Sequence, residues 1–124
     1  MERWFILVGA FLMFLGVAAG AFGTHGLAGY FEQNPDLADT YGTAVRYLVY
    51  HALALFAVAW LVTIRPGAWT HAAGLLFITG VLIFSGSLFL LVFTRLSWLG
   101  AITPLGGVAF LAGWLCVLVV AIRW

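Results

Sequence analysis

Lysine is absent from this 124-residue chain, and charge of either sign is scarce. Five arginines (Arg3, Arg46, Arg65, Arg95, Arg123) stand against four acids (Glu2, Glu32, Asp36, Asp39), so 7% of residues are charged. Soluble domains carry about a quarter, which excludes that class. A net charge of +1 without a basic cluster excludes nucleic acid as a partner, because such a face needs several phosphate-neutralising cations. The single cysteine, Cys116, excludes an intrachain disulfide and reads as a buried, inert thiol. No nucleophile–base arrangement, phosphate loop or pair of catalytic carboxylates is recognisable, and the expectation is a protein that is not an enzyme.

What the chain has is hydrocarbon: 65% of its residues are hydrophobic, with a mean hydropathy of +1.16. Four apolar runs, approximately 4–23, 35–64, 72–93 and 104–122, are long enough to span a bilayer. Lipid offers no hydrogen bonds to a bare backbone, so runs of this length are helices. The predicted fold is all-α, a four-transmembrane-helix bundle forming one membrane domain over residues 1–124. The first run ends in Ala18-Ala19-Gly20-Ala21, which looks like a signal-peptidase site. At about 19 residues it exceeds the 7–15 of a signal-peptide core, so it is expected to be retained as a helix.

Glycine recurs within the runs. Gly9, Gly16, Gly20 and Gly23 form one stripe of the first helix at 100° per residue, and Gly80 and Gly86 join Thr79 and Ser87 on the third. Such faces let neighbouring backbones approach closely and are expected to be packing surfaces. Gly23 to Gly29 is too glycine-dense for straight helix and reads as a turn. Asn34-Pro35 reads as an N-cap followed by proline at the first helical position, with a possible break at Gly42, and Thr103-Pro104 reads the same way. Orientation follows the arginines. Arg3, Arg65 and Arg123 share one side against Arg46 and Arg95 on the other, which places both termini in the cytoplasm. Trp4, Trp60, Trp69 and Trp124 then mark the inner interface, and Tyr30, Tyr41, Tyr47, Tyr50 and Trp98 the outer one.

The residues able to carry chemistry gather on the outer side. Thr43, Arg46, Tyr47, Tyr50 and His51 occupy a wedge of the second helix about 140° wide at 100° per residue. His51 lies roughly 9 Å inside the hydrocarbon at 1.5 Å per residue, and a titratable group at that depth faces protein or a cavity. His25, Ser85, Ser87 and Thr103 fall at similar depth. Together His25, Arg46, Tyr47, Tyr50, His51, Ser85, Ser87 and Thr103 form a candidate polar cluster for a ligand or proton path. The plainer alternative makes His51 a helix–helix contact to Ser85 or Ser87, Arg46 an interfacial snorkeller, and His25 a loop residue bonded to backbone. A carboxylate from the acidic loop is the alternative partner for Arg46. Two same-side histidines do not make a zinc set, and a bis-histidine haem has nothing to specify it, so no metal and no cofactor are expected.

Gly20-Ala21-Phe22-Gly23-Thr24-His25-Gly26-Leu27, Tyr47-x-x-Tyr50-His51-Ala52-Leu53-Ala54-Leu55, Phe84-Ser85-Gly86-Ser87-Leu88-Phe89 and Ile102-Thr103-Pro104-Leu105-Gly106-Gly107 with Gly113-Trp114 occur in that order. In these motifs the chain resembles the YgdD-like family of small bacterial inner-membrane proteins, which is similar to the eukaryotic transmembrane protein 256 group. Thr24 and Phe89 replace the family's common Ala and Tyr. The resemblance implies a four-helix membrane protein in a domain of unknown function, and carries no catalytic or ligand residues. The resulting expectation is a non-enzymatic packing or interaction component of the bacterial inner membrane. Its partners are the lipid bilayer and either further copies of itself or a larger membrane complex. The alternative is a small transporter, channel or ligand-binding protein using the outer polar cluster.

Overall fold

The computed structural model describes residues 1–124, and its regular structure is entirely helical. The elements are α1 (Glu2–His25), α2 (Ala28–Gln33), α3 (Pro35–Ile64), α4 (Ala68–Gly80), a π-helical turn (Val81–Ser85), α5 (Gly86–Thr94) and α6 (Leu99–Ile122). The π turn joins α4 to α5 without interruption, so Ala68–Thr94 is one span and the molecule has four. The shortest spans have 24 residues. At 1.5 Å per residue they cover roughly 36 Å, enough for a hydrocarbon layer of about 30 Å. Phe11, Phe14, Val17, Leu82, Leu105, Leu111 and Leu118 are all more than half exposed. That outward apolar surface is what a bilayer covers.

Aromatic rings seated on glycines hold adjacent spans together. Phe5 of α1 lies on Gly74 of α4, Phe77 of α4 on Gly113 of α6, Phe110 of α6 on Gly80 of α4, and Tyr41 of α3 beneath Gly23 of α1. At each of these glycines an added Cβ would overlap the ring. Gly9 and Gly16 let α1 lie against α3, where a Cβ would meet the Ala52 carbonyl at 3.1 Å and Leu48 and Val49 at 2.8 Å. Gly20 is looser, with Val45 at 3.7 Å, and Gly86 has nothing within 4 Å. The packing role expected of Gly86 is therefore not filled inside this chain. Thr79, expected on the same face, is exposed.

Three local expectations are corrected. α6 begins at Leu99, five residues before Pro104, so Thr103 is not an N-cap. Leu99, Gly100 and Ala101 enter the helix through tight turns onto the carbonyls of Leu96, Ser97 and Trp98. Pro104 then forfeits only the N–H that would have reached back to Gly100. Asn34 does precede Pro35 at the start of α3, but its side chain does not cap the helix. It donates to the Tyr30 carbonyl at 2.9 Å and accepts from Arg95. No break occurs at Gly42, and α3 is continuous.

α2 closes the end of the bundle opposite the termini. Its Tyr30 hydroxyl donates to the Val92 carbonyl at 2.7 Å, and Phe31 packs on Tyr41, which packs on Phe89. Tyr41 is buried and its hydroxyl bonds to the Ala19 carbonyl, so it is not the interfacial belt residue expected of it.

The π turn carries the tightest approach of one backbone to another at a glycine. Its extra residue swells the helix toward α6, where Gly106 meets the Phe84 backbone itself. A methyl group at Gly106 collides with main chain that cannot rotate away, whereas one at Gly107 reaches Phe84 only at 3.9 Å. Gly106→Ala is expected to destabilise the protein by at least the ~1–3 kcal/mol typical of overpacking. Gly107→Ala should change stability little. Unfolding in mixed micelles measures both, and equal effects would refute this account of the turn.

Candidate functional site

The side chains at the middle of the bundle centre on His51, which is buried with 4% of its surface exposed. Its ring stacks on Phe110, with centroids 3.6 Å apart and planes within 9°, and Phe77 packs at a tilt 5.3 Å away. Nδ1 lies 2.8 Å from the Tyr47 carbonyl, one turn back on α3. Nε2 lies 3.1 Å from the indole Nε1 of Trp114 on α6.

These partners settle the tautomer. An indole N–H only donates, so Nε2 must accept; a carbonyl only accepts, so Nδ1 carries the proton. His51 is thus a neutral imidazole with both nitrogens occupied, and a second proton on Nε2 would confront the indole N–H head-on. The α3 and α6 backbones do not approach each other closely; His51, Phe110 and Trp114 fill the space between them. Trp114 was missed in the sequence because tryptophan in a spanning helix reads as lipid-facing or interfacial. It is indeed 46% exposed, while its indole N–H meets His51 and its ring packs on Phe77.

The outer polar cluster does not assemble. His25 is exposed at the end of α1, apart from His51. Arg46 is exposed and donates to Thr43 on its own helix at 3.1 Å; neither Glu32, Asp36 nor Asp39 pairs with it. Tyr47 covers Phe84 and Phe110 with its ring, and Tyr50 packs on Tyr47, both partly exposed. Ser85 and Ser87 are both buried but serve different neighbours. Ser85 donates to the Ala44 carbonyl on α3 at 2.7 Å, and Ser87 pairs with Thr103 on α6 at 2.6 Å. Neither bonds His51, contrary to the plainer expectation. His51, Ser85 and the Ser87–Thr103 pair are thus separate interhelical ties, and every buried side-chain N or O has a hydrogen-bond partner.

A second feature was not visible in the sequence at all. Phe5 on Gly74 ties α1 to the third span only near one end, and the two diverge from there. The gap is a lateral cleft of about 550 Å³ between α1, α3 and the π turn with α5. Leu12, Leu15, Ala18 and Phe22 form one side and Leu82, Gly86, Phe89 and Phe93 the other. Its polar lining residues are committed, Ser85 to Ala44 and the Tyr41 hydroxyl to Ala19. The cleft therefore asks its occupant for apolar surface and no hydrogen bonds.

The His51–Trp114 bond is measurable by a double-mutant cycle. Trp114→Phe leaves Nε2 buried without a donor, and His51→Leu leaves the indole N–H without an acceptor, while the double variant loses both polar partners together. The coupling expected in mixed-micelle unfolding is roughly 0.6 kcal/mol, the average for hydrogen bonds between membrane helices, and at most about 1.7 kcal/mol. Additive single effects would show that the bond contributes nothing.

Comparison with known proteins agrees with the architecture. The family model described as a protein of unknown function (DUF423) matches residues 19–107. The chain is 46% identical to the UPF0382 membrane protein YwdK of Bacillus subtilis, over 97% of each chain. It is 39% identical to a UPF0382 membrane protein of Staphylococcus haemolyticus, covering 94% of this chain and 93% of that one. To the UPF0382 inner membrane protein YgdD of Escherichia coli it is 36% identical, covering 98% and 92%. No solved structure matches. With nearly the whole length shared, and four spans tied through its glycines and His51, the chain belongs to the DUF423 (UPF0382) family of membrane proteins of unknown function.

Proposed function

We propose that the protein is a non-enzymatic component of the bacterial inner membrane whose lateral cleft holds a lipid acyl chain. The cleft carries this reading. It opens sideways where hydrocarbon surrounds the helices, and about 550 Å³ falls within the size of ordinary ligand sites. An empty gap there forfeits dispersion contacts along its whole lining, so a chain that enters from the bilayer is favoured over a void. Because Ser85 and Tyr41 are already bonded, an occupant with no polar atoms loses nothing by binding.

The transport alternative and the expected helix-packing interaction are less well supported. A proton or ion path through the outer cluster needs a free lone pair at His51, and the Trp114 N–H takes it. A partner helix laid on the glycine stripe of α1 competes with α3, which already covers Gly9, Gly16 and Gly23. The inner-membrane setting is supported by the Escherichia coli relative, an inner membrane protein. Cytoplasmic termini rest on the arginine balance across the spans.

Gly86 offers a direct test, since an added side chain there meets no protein atom within 4 Å. Gly86→Leu should leave folding intact and fill the cleft. Photoactivatable fatty-acyl phospholipid should crosslink wild-type α1 and α5 segments several-fold more than those of Gly86→Leu. Unchanged crosslinking in a folded variant would end the acyl-chain reading. Topology is tested separately: an impermeant maleimide should label Ser97→Cys in intact cells and spare Ala68→Cys, and the reverse pattern would invert the orientation.

A further inference from the structure

At the end of the bundle opposite α2, the closing residues of α3 and α6 meet the opening turn of α4 around a small pocket of about 130 Å³. Two of its seven lining residues are Arg65 and Arg123, and none is acidic. Both guanidiniums are held by aromatic planes. Arg65 sits 5.0 Å from the Trp124 ring centroid and donates to the main-chain oxygen of Trp124, while Arg123 sits 5.6 Å from the Trp69 ring. Neither pairs with an acidic side chain; Glu2 takes the Met1 amino group instead. Thr70, buried in the pocket wall, turns its hydroxyl to the Arg65 carbonyl at 2.7 Å and fixes the turn that presents the guanidinium.

A single arginine at a helix C-terminus needs no ligand, since it complements the exposed carbonyls. Two lining one pocket repel each other and leave several N–H donors without an acidic side chain to meet them. Their shape and charge match a phosphate, which guanidinium groups bind with paired hydrogen bonds. Depth selects the source. Trp60, Trp69 and Trp124 are exposed around the pocket, an aromatic girdle that places it at the level of lipid headgroups.

We infer that Arg65 and Arg123 form a binding site for an anionic phosphate group, supplied by the phosphodiester of a membrane lipid. The site is separate from the acyl-chain cleft and shares no lining residue with it. It selects by headgroup charge, whereas the cleft does not discriminate headgroups.

Native mass spectrometry of the full chain in detergent micelles, doped with phosphatidylglycerol or phosphatidylcholine, tests this. Wild-type protein should retain phosphatidylglycerol preferentially. Each of Arg65→Gln and Arg123→Gln should reduce that preference about fivefold, the equivalent of ~1 kcal/mol per arginine at a membrane surface, and the double variant more. Arg65→Lys, which keeps the charge, should fall between wild type and Arg65→Gln. Arg46→Gln and Arg95→Gln, at the other end of the bundle, should leave the preference unchanged. Loss of preference in those two controls, or its persistence in the folded double variant, overturns the site. Displacement of phosphatidylglycerol by millimolar inorganic phosphate would retain phosphate recognition and overturn the lipid as its source. Failure of the cleft reading would appear instead as unchanged acyl crosslinking in Gly86→Leu, with the headgroup preference untouched.

Discussion

Rings seated on glycines are the contact on which the rest of this structure depends. Within a bilayer, helices gain little from hiding apolar surface from one another, because lipid is equally apolar. What favours association is closer packing than lipid can provide, and a glycine facing a flat ring supplies it. Phe5 on Gly74, Phe77 on Gly113 and Phe110 on Gly80 tie α1 to α4 and α4 twice to α6. Phe110 has a second duty. Its seat on Gly80 fixes the plane against which His51 stacks at 3.6 Å, and so helps to aim Nε2 at Trp114. The polar tie between α3 and α6 is thus subordinate to an apolar one.

The same hierarchy explains the buried hydroxyls. Ser85 and Ser87, two residues apart, would project about 200° apart on a regular helix. In the fold they reach α3 and α6 respectively, because the third span lies between those helices. The π turn ends at Ser85, and Gly106 yields the room its swelling requires. A wider turn beside two bonded serines leaves no polar atom stranded in hydrocarbon, the condition a membrane interior imposes on every side chain.

The sequence disclosed the four spans because length and hydropathy are local properties. It disclosed the α1 stripe because glycine at helical spacing is also local. It did not disclose what covers that stripe: periodicity shows that Gly9, Gly16 and Gly23 share a face, and only the fold shows that face lying on α3. The start of α6 was misread because Thr103-Pro104 has the same composition whether it opens a helix or sits in its second turn. The candidate site failed for a related reason. His25 and His51 were grouped by depth, and equal depth on different helices does not imply contact. Trp114, the actual partner, carries no signal beyond its type, since a tryptophan that donates inward and one that faces lipid look identical in sequence.

The cleft follows from where the ring–glycine rule lapses. Along α1, Gly9 and Gly16 admit the backbone and aliphatic side chains of α3 directly and Gly23 takes the Tyr41 ring, so α1 follows α3 closely for most of its length. Toward the third span the rule holds once, at Phe5 and Gly74. Beyond that seat Gly86 has no ring upon it, and Phe89, the nearby aromatic on the same span, is drawn toward Tyr41. A helix fixed to one neighbour along its length and to another at a single point must part from the second, and the chain supplies nothing to fill the parting. An occupant of the parting would come from outside the chain, and the satisfied hydrogen bonds of Ser85 and Tyr41 favour an apolar one.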